Sequence, residues 1–265
     1  MSENPSSWSV AAEIRAEQKA ALKDMSRKKK LAYFWEYYKI HTIVTIISCA
    51  VLFSILYNMF TNKDYSFYAI IINSYELSGE TIADEFSTFA LLDNDRTKCF
   101  VETDTHLDID DFSPYEAATV QRIMATVIAG QLDTIIADAH TFTYFSDAEF
   151  FEDLRLILSE DELKRYEDRF FYLDQALIDE RNNTQNLDDF LEITIKTPAE
   201  KIAEIDWRSQ PEQMKNPVPV GIFITDSPLI KDAYFDNAFP VLGIVGTSTK
   251  IESAVLFAEF LLDFP

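Results

Sequence analysis

The sequence predicts an α/β protein: one transmembrane helix followed by a domain built on a mostly parallel sheet. Three observations predict it. Residues 40–60 form a run of 21 with no Asp, Glu, Lys or Arg. The charge balance changes sharply across that run, from 8 Lys/Arg against 5 Asp/Glu in residues 1–40 to 15 against 40 in residues 61–265. Beyond the run, strand-like apolar segments alternate with amphipathic helical ones, the order that gives right-handed crossovers and parallel strands.

The apolar run comes first. As a helix, 21 residues rise about 32 Å, close to the roughly 30 Å hydrocarbon thickness of a bilayer. Arg27, Lys28, Lys29 and Lys30 precede it and Lys39 stands at its edge. Tyr33, Phe34, Trp35, Tyr37 and Tyr38 lie between, an aromatic cluster of the kind that settles among headgroups, and Tyr57 and Phe60 mark the far side. These signals predict a cytoplasmic segment over residues 1–38, a span over 39–61 and an extracytoplasmic domain over 65–265. A cleavable signal peptide would need a charged region of about 38 residues, far too long. Ile46-Ile47-Ser48-Cys49 fits a loose lipobox, but mostly apolar residues follow Cys49, so it reads as a residue of the span. Only Cys99 lies beyond the span, so no intrachain disulfide is expected there and the core alone must hold the domain.

Each further element has its own signal. Residues 9–30, rich in Ala, Glu, Lys and Gln, favour a short exposed helix that touches anionic lipid. The aromatic and β-branched run at 65–75 reads as a strand. Residues 80–92 read as a helix with Ile82, Phe86 and Phe89 on one face, and 97–104 as a second strand. Residues 113–130 carry a Ser cap, Pro in the first turn, Glu three residues after the cap and a closing Gly. The apolar segment 133–139 suits the middle of a sheet. Helices are expected at 146–158 and 159–173, each beginning with a capping Ser, and a polar loop at 178–189. Strands are expected at 191–197, 218–226 and 239–248, and a closing helix at 250–262.

Few residues carry chemical signals. An ectodomain this acidic repels phosphate backbones, so no nucleic-acid partner is expected. Asp104, His106, Asp108 and Asp110 alternate and would share a face if extended, but the segment lacks the Gly and the terminal Glu of an EF-hand loop, and it reads as a solvated acidic loop. Residues 243–250, "GIVGTSTK", have the wrong order for a Walker motif and read as a strand-to-helix turn. No Gly-x-Ser-x-Gly elbow is present, and neither a cofactor nor a metal is expected. His140 follows the central strand directly, and in open parallel sheets ligands sit beyond the carboxyl ends of strands. Asp138, His140 and Tyr144 are therefore the candidate ligand-binding residues, with Asp138 as a plain helix cap the competing reading.

Residues 130–158, "GQLDTIIADAHTFTYFSDAEFFEDLRLIL", resemble the part of bacterial ABC-transporter solute-binding proteins where a helix ends and a D-x-x-x-x-D strand follows. Residues 239–262, "FPVLGIVGTSTKIESAVLFAEFLL", are similar to their closing strand and helix. The Lys- and aromatic-rich N-terminus with one span resembles uncharacterised single-span membrane-anchored proteins of the bacterial envelope. The resemblance implies a reduced periplasmic-binding-protein (type 2) lobe, since about 200 residues fall short of two full lobes. It implies an extracytoplasmic binding or scaffold protein, not an enzyme. The implied partners are the lipid bilayer, an ABC permease or a cell-envelope protein, and a small-molecule ligand. The reading from another class is a membrane-tethered hydrolase acting on envelope polymers.

Overall fold

The computed structural model describes residues 12, 26–61, 64–92, 97–111, 113–183, 197–235 and 237–263. The chain divides into two compact units, Met1–Asn62 and Lys63–Pro265.

The first unit holds α1, Arg27–Thr61, a single helix of 35 residues. Among the described residues it is the one helix long and apolar enough to cross a membrane, over Tyr38–Tyr57 with mean hydropathy 2.1. Within that stretch its apolar side chains are exposed, Phe53 at 69%. In an apolar surround a hydroxyl must find its partner within the helix, and the Thr45 hydroxyl donates to the His41 carbonyl at 2.8 Å. The helix expected over residues 9–30 lies largely outside the described residues.

The second unit is an α/β domain. Its strands are β1 (Asp64–Ile72), β2 (Thr97–Thr105), β3 (Thr134–Ala137), β4 (Phe170–Asp174), β5 (Pro217–Phe223) and β6 (Val241–Ile244). They form one sheet in the order β2-β1-β3-β6-β5-β4. The sheet is mixed, which corrects the expectation of a mostly parallel one. β1 pairs parallel with β2 and β3, whereas β3–β6, β6–β5 and β5–β4 are antiparallel. The reason lies in the connections. Among its described residues the loop joining β5 and β6 contains only the 3₁₀ turn Lys231–Ala233, and neighbours joined without a crossover helix run in opposite directions.

Both faces are covered. The helices are α2 (Gly79–Phe89), α3 (Pro114–Ile128), α4 (Ala139–Asp147), α5 (Leu154–Ile157), α6 (Glu160–Tyr166), α7 (Gln175–Asn183), α8 (Pro198–Arg208) and α9 (Ile251–Asp263). Side chains alternate along β1: Phe67, Ala69 and Ile71 enter one core with Phe86 of α2 and Phe257 and Phe260 of α9. Tyr68, Ile70 and Ile72 enter the other with Ile123 of α3, Phe142 of α4 and Ile205 of α8. Burial on both sides explains the unbroken apolar runs Phe67–Ile72 of β1 and Ile135–Ala137 of β3.

Three middle segments differ from expectation. Residues 146–158 are not one helix: α4 ends at Asp147, Glu149 is left-handed (φ 59°), Phe151 bridges to Val245, and Asp153 starts α5 by accepting from the Arg155 amide. Residues 159–173 begin as α6, with a full capping box at Ser159 and Glu162, but Phe170 faces one core and Phe171 and Leu173 the other, which requires a strand. Residues 178–183 continue α7 instead of a loop, because Ile178 packs into the core. The strand expected at 191–197 lies outside the described residues except for Thr197.

Candidate functional site at the strand ends

β3 is antiparallel to β6 and β6 to β5, so β1, β2, β3 and β5 all point the same way. Their carboxyl ends, with the entrances to β4 and β6, make one rim, where α/β sheets place their ligands.

Asn73, just past β1, organises the rim. Its φ of 62° is left-handed, a conformation Asn tolerates better than most residues. Its side-chain amide donates to the Leu107 carbonyl at 2.9 Å, to Asp138 Oδ2 at 2.8 Å and to Thr141 Oγ1 at 3.2 Å. Its Oδ1 accepts from the Leu107 amide at 2.9 Å. One side chain thus ties the exits of β1, β2 and β3 together.

Asp138 caps α4: Oδ1 accepts from the Thr141 amide at 2.9 Å. Tyr234 lies nearby, donating to the Ile72 carbonyl at 2.7 Å. Burial and the Asp138 charge push its phenol well above the ordinary value. His140 Nε2 meets Asp110 Oδ1 at 3.1 Å, and the other oxygen of Asp110 takes an ion pair from Lys201 of α8. Burial raises the Asp110 carboxyl, but hydrogen bonds from Lys201 and His140 outweigh it and hold it below the usual carboxylate range. Tyr144 lies one turn beyond His140, half-buried, edge-on to Phe145 at 5.3 Å. Burial raises its phenol. The fold therefore brings Asp138 and His140 to the rim, with Tyr144 farther along α4.

The alternating acids do not converge. Asp108 Oδ1 accepts from the Asp110 and Asp111 amides at 2.9 and 3.3 Å, a local turn that Asp side chains favour. Among the described residues no group of three or more His, Cys, Asp or Glu is placed to hold a metal ion. In residues 243–250 the chain turns from β6 into α9, and Lys250 Nζ pairs with the buried Asp133 at 3.2 Å.

A groove of about 250 Å³ opens on the same rim, lined by Asp168, Arg169, Ile205, Asp206, Ser209, Phe223, Thr225, Asp226 and Phe239. α8 forms one wall. Thr197 and Glu200 start that helix with a capping box. Arg208 holds its other end: 5% exposed, it pairs with Asp147 of α4 at 2.7 Å and lies 5.5 Å over the Phe171 ring. Opposite, Arg169 donates to both oxygens of Asp226, one at 2.8 Å, and this bidentate bond keeps the Asp226 carboxyl low. Sequence reasoning missed these residues. The signal was there: Thr225-Asp226 follows an apolar strand just as Asp138 does.

No protein-family model matches the chain, and no curated protein or solved structure matches it.

Proposed function

We propose that this chain is a single-pass membrane protein whose N-terminus stays in the cytoplasm and whose α/β domain works outside as a binding or scaffold module. We read that domain as a reduced solute-binding-protein lobe, presented to an ABC permease or another envelope protein. One observation carries the reading. The rim opens onto a shallow groove, and several of its charged groups are bonded to one another: His140 to Asp110, Asp110 to Lys201, Arg169 to Asp226. Such bonds fix a surface for presentation. Arg27, Lys28 and Lys29 ahead of Tyr38–Tyr57 support the orientation, since basic flanks stay inside.

The second reading, a membrane-tethered hydrolase, draws on the His140–Asp110 hydrogen bond, the geometry of a base held by a carboxylate. The charge pairing of Asp110 with Lys201 favours a structural role for that contact.

The orientation is tested with the full-length chain, tagged at both ends, in intact cells treated with protease. Loss of the C-terminal tag with a protected N-terminal tag is expected. The opposite pattern would overturn the proposal.

A further inference from the structure

Three features of the groove beside α8 bear on what fills it. Its floor is apolar, made by Ile205, Phe223 and Phe239. Its one cation, Arg169, is already engaged by both oxygens of Asp226. That leaves the carboxylates of Asp168 and Asp206, both exposed, with Thr225 and with Ser209, whose hydroxyl donates to the Ile205 carbonyl at 3.2 Å and keeps its lone pairs as acceptors.

From this we infer that the groove binds a small organic cation, an ammonium or guanidinium on a short alkyl chain. The inference rests on reading the domain as a binding module and supplies the ligand class. The alkyl chain covers the Ile205, Phe223 and Phe239 floor while the charged head sits between Asp168 and Asp206. The hydroxyls of Ser209 and Thr225 accept its N–H groups. An anion would meet two carboxylates with the guanidinium of Arg169 already taken. Size agrees: drug-sized ligands occupy pockets of roughly 300–1,000 Å³, so this groove suits something smaller. Residues 61–265, with 40 acidic against 15 basic residues, set up a field that concentrates cations at the surface.

The test uses the full-length chain in nanodiscs of zwitterionic lipid, with pentylammonium and agmatine as probes and 1-pentanol and pentanoate as isosteric controls. Binding is read by ligand-detected NMR titration. Both cations should bind saturably, the alcohol and the carboxylate far more weakly. Asp168→Asn and Asp206→Asn should each weaken cation binding about twofold to fivefold, the range of an exposed ion pair. Asp84→Asn, an exposed acid on α2, should leave it unchanged. No saturable binding by concentrations on the order of 10 mM would overturn the inference. So would equal weakening by Asp84→Asn, which would trace the effect to diffuse acidity, or binding that the groove variants leave intact. The anchored-module reading is judged separately, by the orientation experiment, and an inert groove would remove only its ligand.

Discussion

Replacing Asp133 with Ala should lower the melting temperature of the domain by roughly 6–20 °C. Asp133 is 0% exposed. It accepts from the Tyr68 amide at 2.8 Å, from the Ser248 hydroxyl at 2.6 Å and from Lys250 Nζ at 3.2 Å. It thereby fastens the turn between β6 and α9 to the centre of the sheet. Truncation strands two buried donors at about 1–3 kcal/mol each; Lys250, 27% exposed, can turn to solvent. The sum agrees with the ~3–5 kcal/mol lost when a buried pair is broken. For a domain of this size each kcal/mol shifts the midpoint by about 2–4 °C. Differential scanning calorimetry of the full chain in detergent measures it. Asp133→Asn keeps one acceptor oxygen for the Tyr68 amide and turns its NH2 toward the Ser248 hydroxyl, which can accept instead of donating, so it should lose less. A shift under about 2 °C for Asp133→Ala, or an Asn variant as damaged as the Ala variant, would refute the reasoning.

Two further outcomes are expected. Asp174, 3% exposed, accepts from the amides of Ala176, Lys215 and Asn216 at 3.2, 3.0 and 3.0 Å. Burial raises its carboxyl, but these backbone bonds outweigh it and set the folded value low. A depressed carboxylate contributes stability that is complete above the unfolded value, about pH 4, and is lost as pH falls through the folded value. Urea titrations across acid pH should therefore show a shallower loss for Asp174→Asn than for the native chain; equal slopes would count against the assignment. Gly243→Ala would bring a methyl within 2.5 Å of Phe151 and 2.8 Å of Phe142, rings stacked at 4.3 Å. Overpacking of this kind costs about 1–3 kcal/mol, and Phe151→Leu should restore part of it in the same calorimetric assay.

Legibility in the sequence followed the locality of the cause. Ser113, Pro114 and Gly130 announced α3, because a cap and a left-handed glycine (φ 63°) act within a few residues. The apolar strand β1 was equally plain. Residues 170–173 were misread because four apolar residues fit a strand or a helix turn alike, and only two opposed cores decide between them. Strand direction was hidden too, since nothing local to residues 241–244 says that β6 inserts between β3 and β5. At the rim, Asp138 and His140 followed from the strand-end rule. Their neighbours did not: Lys201 reaches Asp110 across 91 positions, with no pattern to mark it. Thr197 to Glu200 carried a readable capping box that had no predicted helix attached to it.

The unbroken course of α1 has a mechanical consequence. Kinks form at Pro, at Gly/Ser pairs or at bulges, and Arg27–Thr61 contains neither Pro nor Gly. The helix is a stiff rod about 52 Å long. Its apolar part, the 20 residues of Tyr38–Tyr57, measures about 30 Å, the thickness of the hydrocarbon layer. The residues before it form an arm of about 16 Å that carries Arg27, Lys28 and Lys29. On the proposed single-pass reading, a thinner membrane makes the rod lean, and a tilt of about 20° swings the end of that arm sideways by about 6 Å. The proposed anchor would thus convert bilayer thickness into lateral displacement of a charged tip, as on a lever.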